Sequence, residues 1–235
     1  MSKKPFIIEF PKLGESSVGY SDAQAKLRFV KAQAPYEPHS NDLYWKIALS
    51  VPNIELAFEQ LHKAGVSCTE PHQFEDVGYL AHFSDPEGFK IELIDHAFKG
   101  ERKGLPSNNT LLGGGAHLSL VTLRIAEIDD VEPTLLSWGM RKMSVQSLPA
   151  YGFNLHFFAF AEETPPEADL ASVANRTWVY RRPYTVLELQ HVFNLQKVNP
   201  PSQFSGGFDG LRITSQDVFP SLHELKISWD NEIES

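Results

Sequence analysis

Two glutamates stand inside apolar runs, Glu92 in Ile91-Glu92-Leu93 and Glu188 in Val186-Leu187-Glu188-Leu189. Short apolar runs of this kind read as strands, so each carboxylate is carried toward a core with the strand that bears it. A carboxylate there is tolerable when cations and hydrogen bonds surround it. Two cations occupy comparable runs, Lys46 in Tyr44-Trp-Lys-Ile-Ala-Leu-Ser-Val51 and Arg28 in Gln24-Ala-Lys-Leu-Arg-Phe29. Nucleophilic catalysis finds no support, because Cys68 lies in a short strand with no recognisable base and no Ser/His/Asp arrangement has motif context. Gly113-Gly-Gly115 lacks both a following Gly-Lys-Ser and a helix start, so it is no phosphate loop.

The histidines are weighed by strand parity. With Pro86 and Glu87 taken as a hairpin loop, Ala81 pairs with Glu92 and His82 with Ile91, which turns His82 to the face away from Glu92. His191 follows Glu188 by three residues and His117 precedes Leu120 by three, odd spacings that point to opposite faces of a strand unless a bulge intervenes.

The elements that must position Glu92 are legible around it. Residues 44–51 alternate as a strand. Asn53 is a helix cap, and Ile54, Ala57, Phe58, Leu61 and Ala64 recur at the three-and-four spacing of one buried face. Gly65 ends that helix, a strand is expected near Val66-Ser-Cys-Thr69, and Asp85-Pro86-Glu87-Gly88 turns the chain into the strand that carries Glu92. Strand, helix and hairpin make one βαβββ unit. In this order they resemble the repeating module of the vicinal-oxygen-chelate superfamily, which includes glyoxalase I, bleomycin-resistance proteins and extradiol dioxygenases. The segments 153–160 and 177–191, with the Pro- and Glu-rich stretch between them, resemble glyoxalase I of the eukaryotic type.

The resemblance implies an α+β fold of repeated βαβββ modules, forming curved mixed sheets with helices on the outer face. Pieces of four modules are present. The first has strands at Phe6 to Phe10, Ser17 to Tyr20 and Ala25 to Val30, with no strand and helix ahead of them. The second is the complete unit from about residue 42 to 95. A third, from about 116 to 193, opens with Leu120-Val-Thr-Leu-Arg-Ile125, and its helix has Pro133 in the first turn. The fourth, strand Phe208 to Thr214 and an amphipathic helix from Val218 to Trp229, opens a module that the chain does not complete. Each terminal piece lacks what the other has, so the strand at 208–214 is expected to pair with the N-terminal strands, by permutation within one chain or by exchange in a homodimer. Truncation of a longer product is the bland alternative. This divides the chain into a first glyoxalase-like domain, 1–98, a linker, 99–112, and a second domain, 113–235.

Metal-dependent members of the superfamily place His or Gln on the first strand of a module and Glu on its last, so two modules offer up to four ligands to nickel, zinc, iron or manganese. By that resemblance Glu92 and Glu188 fall at metal-ligand and catalytic positions, whereas Lys46 and Arg28 replace ligands in the first half, and Leu120 and Gly210 replace them in the second. Lys46 and Arg28 are therefore expected to substitute for an ion beside Glu92. His156, standing where glyoxalase I has a site-proximal aromatic, and Trp178, within the aromatic group of residues 151–184, are candidates with Lys46 and Arg28 for contacting a small-molecule ligand. The expected function is a small-molecule-binding protein with a degenerate metal site. Its alternative is an enzyme, a metal-dependent lyase resembling glyoxalase I or a dioxygenase.

Composition narrows the partners. A net charge of −9 repels a phosphate backbone, and Arg181-Arg182 beside Lys197 makes no basic face, so nucleic acid is not expected. A single cysteine excludes an internal disulfide framework, and the apolar run Phe6-Ile-Ile8 is too short for a membrane or signal segment. A cytoplasmic location with no membrane partner is the resulting expectation.

Overall fold

The structure is a computed structural model that describes residues 6–10, 24–29, 35–104, 108–199, 207–213 and 225–226. The complete unit folds as its pattern dictates. Strand β3 (Tyr44–Val51) leads into helix α1 (Ile54–Lys63), and the Asn53 side chain accepts a hydrogen bond from the backbone N–H of Leu56 at 3.0 Å. Ile54 and Ala57 are buried on its inner side, while Ala64, expected on that face, is the exposed C-cap. Gly65 then adopts φ 77°, where a side chain would be strained. The strand expected at 66–69 is reduced to a bridge between Cys68 and Phe83. Its place is taken by β4 (His72–Phe74), which turns directly into β5 (Gly78–Ser84) and β6 (Lys90–Asp95).

The next complete unit comprises β7 (His117–Ile125), α2 (Glu132–Ser137), β8 (Arg141–Leu148), β9 (Phe153–Ala159), α3 (Ala174–Tyr180) and β10 (Val186–Val192). Pro133 sits at the start of α2, where its missing N–H would have no intrahelical partner. The two units join edge to edge through antiparallel β3 and β7 into one eight-stranded curled sheet, in the order β4-β5-β6-β3-β7-β10-β9-β8.

A second sheet of four strands has the order β12-β11-β1-β2, where β1 is Phe6–Phe10, β2 Lys26–Phe29, β11 Phe208–Ile213 and β12 Leu225–Lys226. Strand β11 runs parallel to β1, with Ile8 opposite Leu211 and Phe10 opposite Ile213. The pairing of the terminal pieces expected from their complementary deficits is thus made within one chain. Where an amphipathic helix was expected over 218–229, Leu225 and Lys226 instead form β12, which supplies backbone partners to the far edge of β11. The strand expected at 17–20 lies outside the described residues.

Both halves expected from sequence, 1–98 and 113–235, contribute strands to both sheets, on either side of the expected linker 99–112. The small sheet covers the outer face of the large one near β3 and β7. There Ala25, Phe208 and Leu211 join Tyr44, Ile47, Leu118 and Val121 in one apolar core. Gln24 ties the layers by accepting from the Leu118 N–H at 3.0 Å, and the Ala25 N–H donates to Thr185 Oγ1 at 2.8 Å. Helix α1 covers the same outer side at β5 and β6, where Ile54 and Ala57 pack on Tyr79, Ala81 and Leu93. Helices α1 and α2 thus stand outside, with Leu135 of α2 in the outer core, while Val179 and Tyr180 of α3 pack with Leu80, Leu120 and Leu155 on the inner face, the rest of which is left to enclose a site. Among the described residues, no helix is long and apolar enough to cross a membrane.

Candidate functional site

Alternation along the strands sorts the side chains between the two faces. On β10, Leu187 and Leu189 enter the outer core and Glu188 points inward. On β6, Leu93 points outward and Glu92 and Ile94 inward. On β3, a register shift between Tyr44 and Lys46 inserts Trp45 as an extra residue, so Tyr44 stays in the outer core while both Trp45 and Lys46 reach the inner face. A second shift places Leu118 in the outer core and Leu120 on the inner face of β7.

These inward residues enclose a cavity of ≈ 260 Å³. Its walls are apolar, with Phe74, Val77 and Leu80 on one side and Phe153 and Leu155 on the other, and Leu120 and Ile94 between them. Its polar groups are Lys46, Glu92, Glu188, His72, His82, Tyr180 and Gln190. The turn between β4 and β5 is clamped to the second unit. Arg176 pairs with Asp76 and donates to its carbonyl at 2.7 Å, Tyr180 Oη donates to the Val77 carbonyl at 3.0 Å, and Tyr151 Oη donates to Glu75 Oε1 at 2.5 Å.

Lys46 Nζ lies 2.7 Å from Glu92 Oε1 and 3.6 Å from Glu188 Oε1, the first a hydrogen bond and the second a charge contact. The other oxygen of Glu92, Oε2, lies 3.0 Å from His82 Nε2. Glu188 Oε1 is buried and has no hydrogen-bond partner among the described residues. The two carboxylates therefore respond differently to the same ammonium. Burial works to raise the Glu92 pKa, but Lys46 and His82 outweigh it and hold the group down at about 2. For Glu188, burial dominates and the nearby Glu92 charge adds to it, so its pKa is raised despite Lys46. Burial favours a neutral Lys46, yet Glu188 and Glu92 together keep its pKa above the ordinary lysine value.

Of the residues singled out in the sequence, Lys46, Glu92 and Glu188 come together. Arg28 lies on strand β2, which belongs to the four-stranded sheet and pairs with β1. Glu188, from the other complete unit, faces Lys46 where Arg28 was expected. His156 pairs with Leu189 and so points to the outer face, where its ring lies 6.3 Å from that of His191. Trp178 lies on α3 outside the cavity lining and carries the Arg182 guanidinium on its ring at 4.3 Å.

His82, expected to face away, is a correction. The hairpin closes with Ser84 opposite Lys90, because Asp85 Oδ1 accepts from both the Glu87 and the Phe89 N–H at 2.9 Å and adds a residue to the loop. That one-residue change puts His82 opposite Glu92. Gln190 escaped notice although its spacing of two from Glu188 is the signal for a shared face. The Trp45 bulge has no such signal. The second shift on β7 falls between His117 and Leu120, so their odd spacing does not decide the face of His117; its ring packs 5.5 Å from the His96 ring and does not line the cavity.

The two parallel strand pairs carry matching offsets. Ala48 stands opposite Glu92 and Thr122 opposite Glu188, so Lys46 and Leu120, each two residues earlier, are equivalent positions. One holds a cation and the other a hydrocarbon. A divalent ion does not fit this set, since the Lys46 ammonium already stands against both carboxylates and Leu120 offers no donor atom. Among the described residues, no group of three or more His, Cys, Asp or Glu is placed to hold a metal.

Paired βαβββ units with α1 and α2 outside and a cavity on the inner face of the curled sheet define a vicinal-oxygen-chelate fold. Residues 9–93 match the family model of the Glyoxalase/Bleomycin resistance protein/Dioxygenase superfamily. Glyoxalase I from Zea mays is similar over 82% of this chain and 68% of that one, at 15% identity and a TM-score of 0.51. A mutant of the maize enzyme gives 14% identity and 0.52 over 82% and 69% of the two chains. Methylmalonyl-CoA epimerase from Mycobacterium tuberculosis is similar at 15% identity and a TM-score of 0.36, over 66% of this chain and 92% of that one. Likeness at these identities concerns the fold. No curated protein matches the chain.

Proposed function

We propose that this protein binds a small organic molecule in the cavity between its two complete units, without a metal ion. The observation that carries this reading is the position of Lys46 Nζ, 2.7 Å from Glu92 and 3.6 Å from Glu188. An ammonium there supplies positive charge between carboxylates that would otherwise be buried together, and it leaves the rest of an apolar enclosure for a ligand. The cavity is close in size to the lower end of small-ligand sites, about 300 Å³, and its mixture of apolar walls with a few converging polar groups is what such sites share. Glu92 and Glu188 serve here as anchors and contacts rather than as metal ligands.

The test is a thermal-shift screen of small aromatic and aliphatic compounds against the protein and its Leu155→Trp variant, in which an indole fills the cavity. Compounds that raise the unfolding temperature of the parent should lose that effect in the variant. Equal shifts in both proteins would place binding elsewhere and refute the proposal.

A further inference from the structure

The cavity's polar end has an asymmetry that selects among ligands. Lys46 Nζ carries three N–H bonds and directs one to Glu92 Oε1, whose partner oxygen is occupied by His82. Glu188 Oε1, at 3.6 Å from the same nitrogen, is buried without a hydrogen bond among the described residues. A buried polar atom left in that state is costly, and a bound molecule is one way of satisfying it. Resting on the proposed ligand-binding role, we infer that the cavity takes an uncharged organic molecule whose apolar body ends in a carbonyl oxygen, received by the Lys46 ammonium and the Glu188 carboxyl.

Geometry allows both donors to meet one oxygen, since groups 3.6 Å apart can each reach a shared acceptor at an ordinary distance of about 2.8 Å. Glu188 is faced by Lys46 from β3, by Glu92 from β6 beyond it and by Tyr180 from α3, with His82 on β5 behind Glu92. Its ladder neighbours, Thr122 on β7 and Phe157 on β9, carry no charge. Burial in this company favours the protonated carboxyl, which donates as a hydroxyl does.

Charge disfavours the alternatives. An anionic headgroup would set a second negative charge beside Glu92 and compete with it for the Lys46 ammonium. A cationic one would press against Lys46. Lys46 is held as an ammonium by the Glu92 carboxylate at 2.7 Å, so it holds the oxygen and does not attack the carbonyl carbon. Trp45, Phe74, Phe153 and Leu155 supply flat and branched apolar surface for the rest of the molecule.

Isothermal titration with four probes of similar size tests this: acetophenone, ethylbenzene, benzoate and benzylammonium. Acetophenone should bind about tenfold more tightly than ethylbenzene, the worth of the added hydrogen bonding, and more tightly than either ion. Its affinity should fall as pH rises and Glu188 ionises, while that of ethylbenzene stays flat. In Glu188→Gln the amide still donates, so the preference for the ketone should persist and its dependence on pH should vanish. Equal affinity for ketone and hydrocarbon would overturn the inference and leave the binding role standing. Tightest binding of benzylammonium, strengthening as pH rises, would replace it with a cation site. Binding of none of the four would overturn the inference and the proposed function together.

Discussion

Lys46 Nζ donates to Glu92 Oε1 across 2.7 Å, joining the parallel neighbours β3 and β6 at a point where both side chains are buried. Glu188 Oε1 stands beside this pair, 3.6 Å from the same nitrogen. Removing the lysine therefore leaves Glu92 with His82 alone and Glu188 with no cation beside it. Lys46→Met should destabilise the protein by about 3 to 5 kcal/mol, the usual cost of breaking a buried ion pair from one side. Urea unfolding near neutral pH measures it, and a loss under about 1 kcal/mol would show the pair to be energetically idle.

Glu188 should make the protein less stable as pH rises. Its folded-state pKa is raised, so its contribution is fully present below the unfolded-state value of about 4.3 and is lost as pH rises through the folded one. Glu188→Gln removes that ionisation while keeping the shape. The variant should match the parent near pH 4 and exceed it near pH 8, by about 1 kcal/mol or more for each unit of pKa shift. A parent more stable than the variant at the alkaline end would mean that Glu188 is ionised and well paired.

Glu92 has the opposite sign. Its pKa falls from 4.5 to about 2 on folding, so its stabilisation is present above the first value and is lost as pH falls through the second. Unfolding free energies measured across that acid window should decline less steeply in Glu92→Gln than in the parent. His82→Ala should raise the Glu92 pKa, read from its side-chain carboxyl carbon signal in an NMR titration, because it removes the partner at Oε2. An unchanged Glu92 titration would detach His82 from the cluster.

Strand β11 pairs with β1 along its length, so the amides of 6–10 and 208–213 should exchange with deuterium at comparable, slow rates. Deleting residues 204–235 should expose 6–10 to rapid exchange. Protection of 6–10 that survives the deletion would contradict the pairing.

These elements also show where the sequence is readable. Asn53 and the spacing of Ile54 and Ala57 specify α1 because cap and buried face are local properties. The pairing of residues 208–213 with the N-terminal strands is legible because each terminal piece lacks a backbone partner that the other has. The Lys46–Glu92 pair is legible through the family resemblance, which puts both residues at ligand positions of one module. The third member is not. Whether Arg28 or Glu188 faces Lys46 depends on which distant units share a sheet, and neither residue's neighbours in sequence encode that. His82 was misplaced because the length of a hairpin loop turns on two hydrogen bonds to Asp85 Oδ1, and Trp45 escaped because a bulge has no residue signature on its own strand.

The most direct test of the central claim, that Lys46 stands in place of a metal ion, is the metal content of the purified protein after equilibration with nickel, zinc, iron or manganese. With the ammonium in place, no stoichiometric ion should be retained after gel filtration, and chelator should leave the unfolding temperature unchanged. Retention of one equivalent of any of these metals, lost on Glu92→Ala, would contradict it and make the protein metal-dependent.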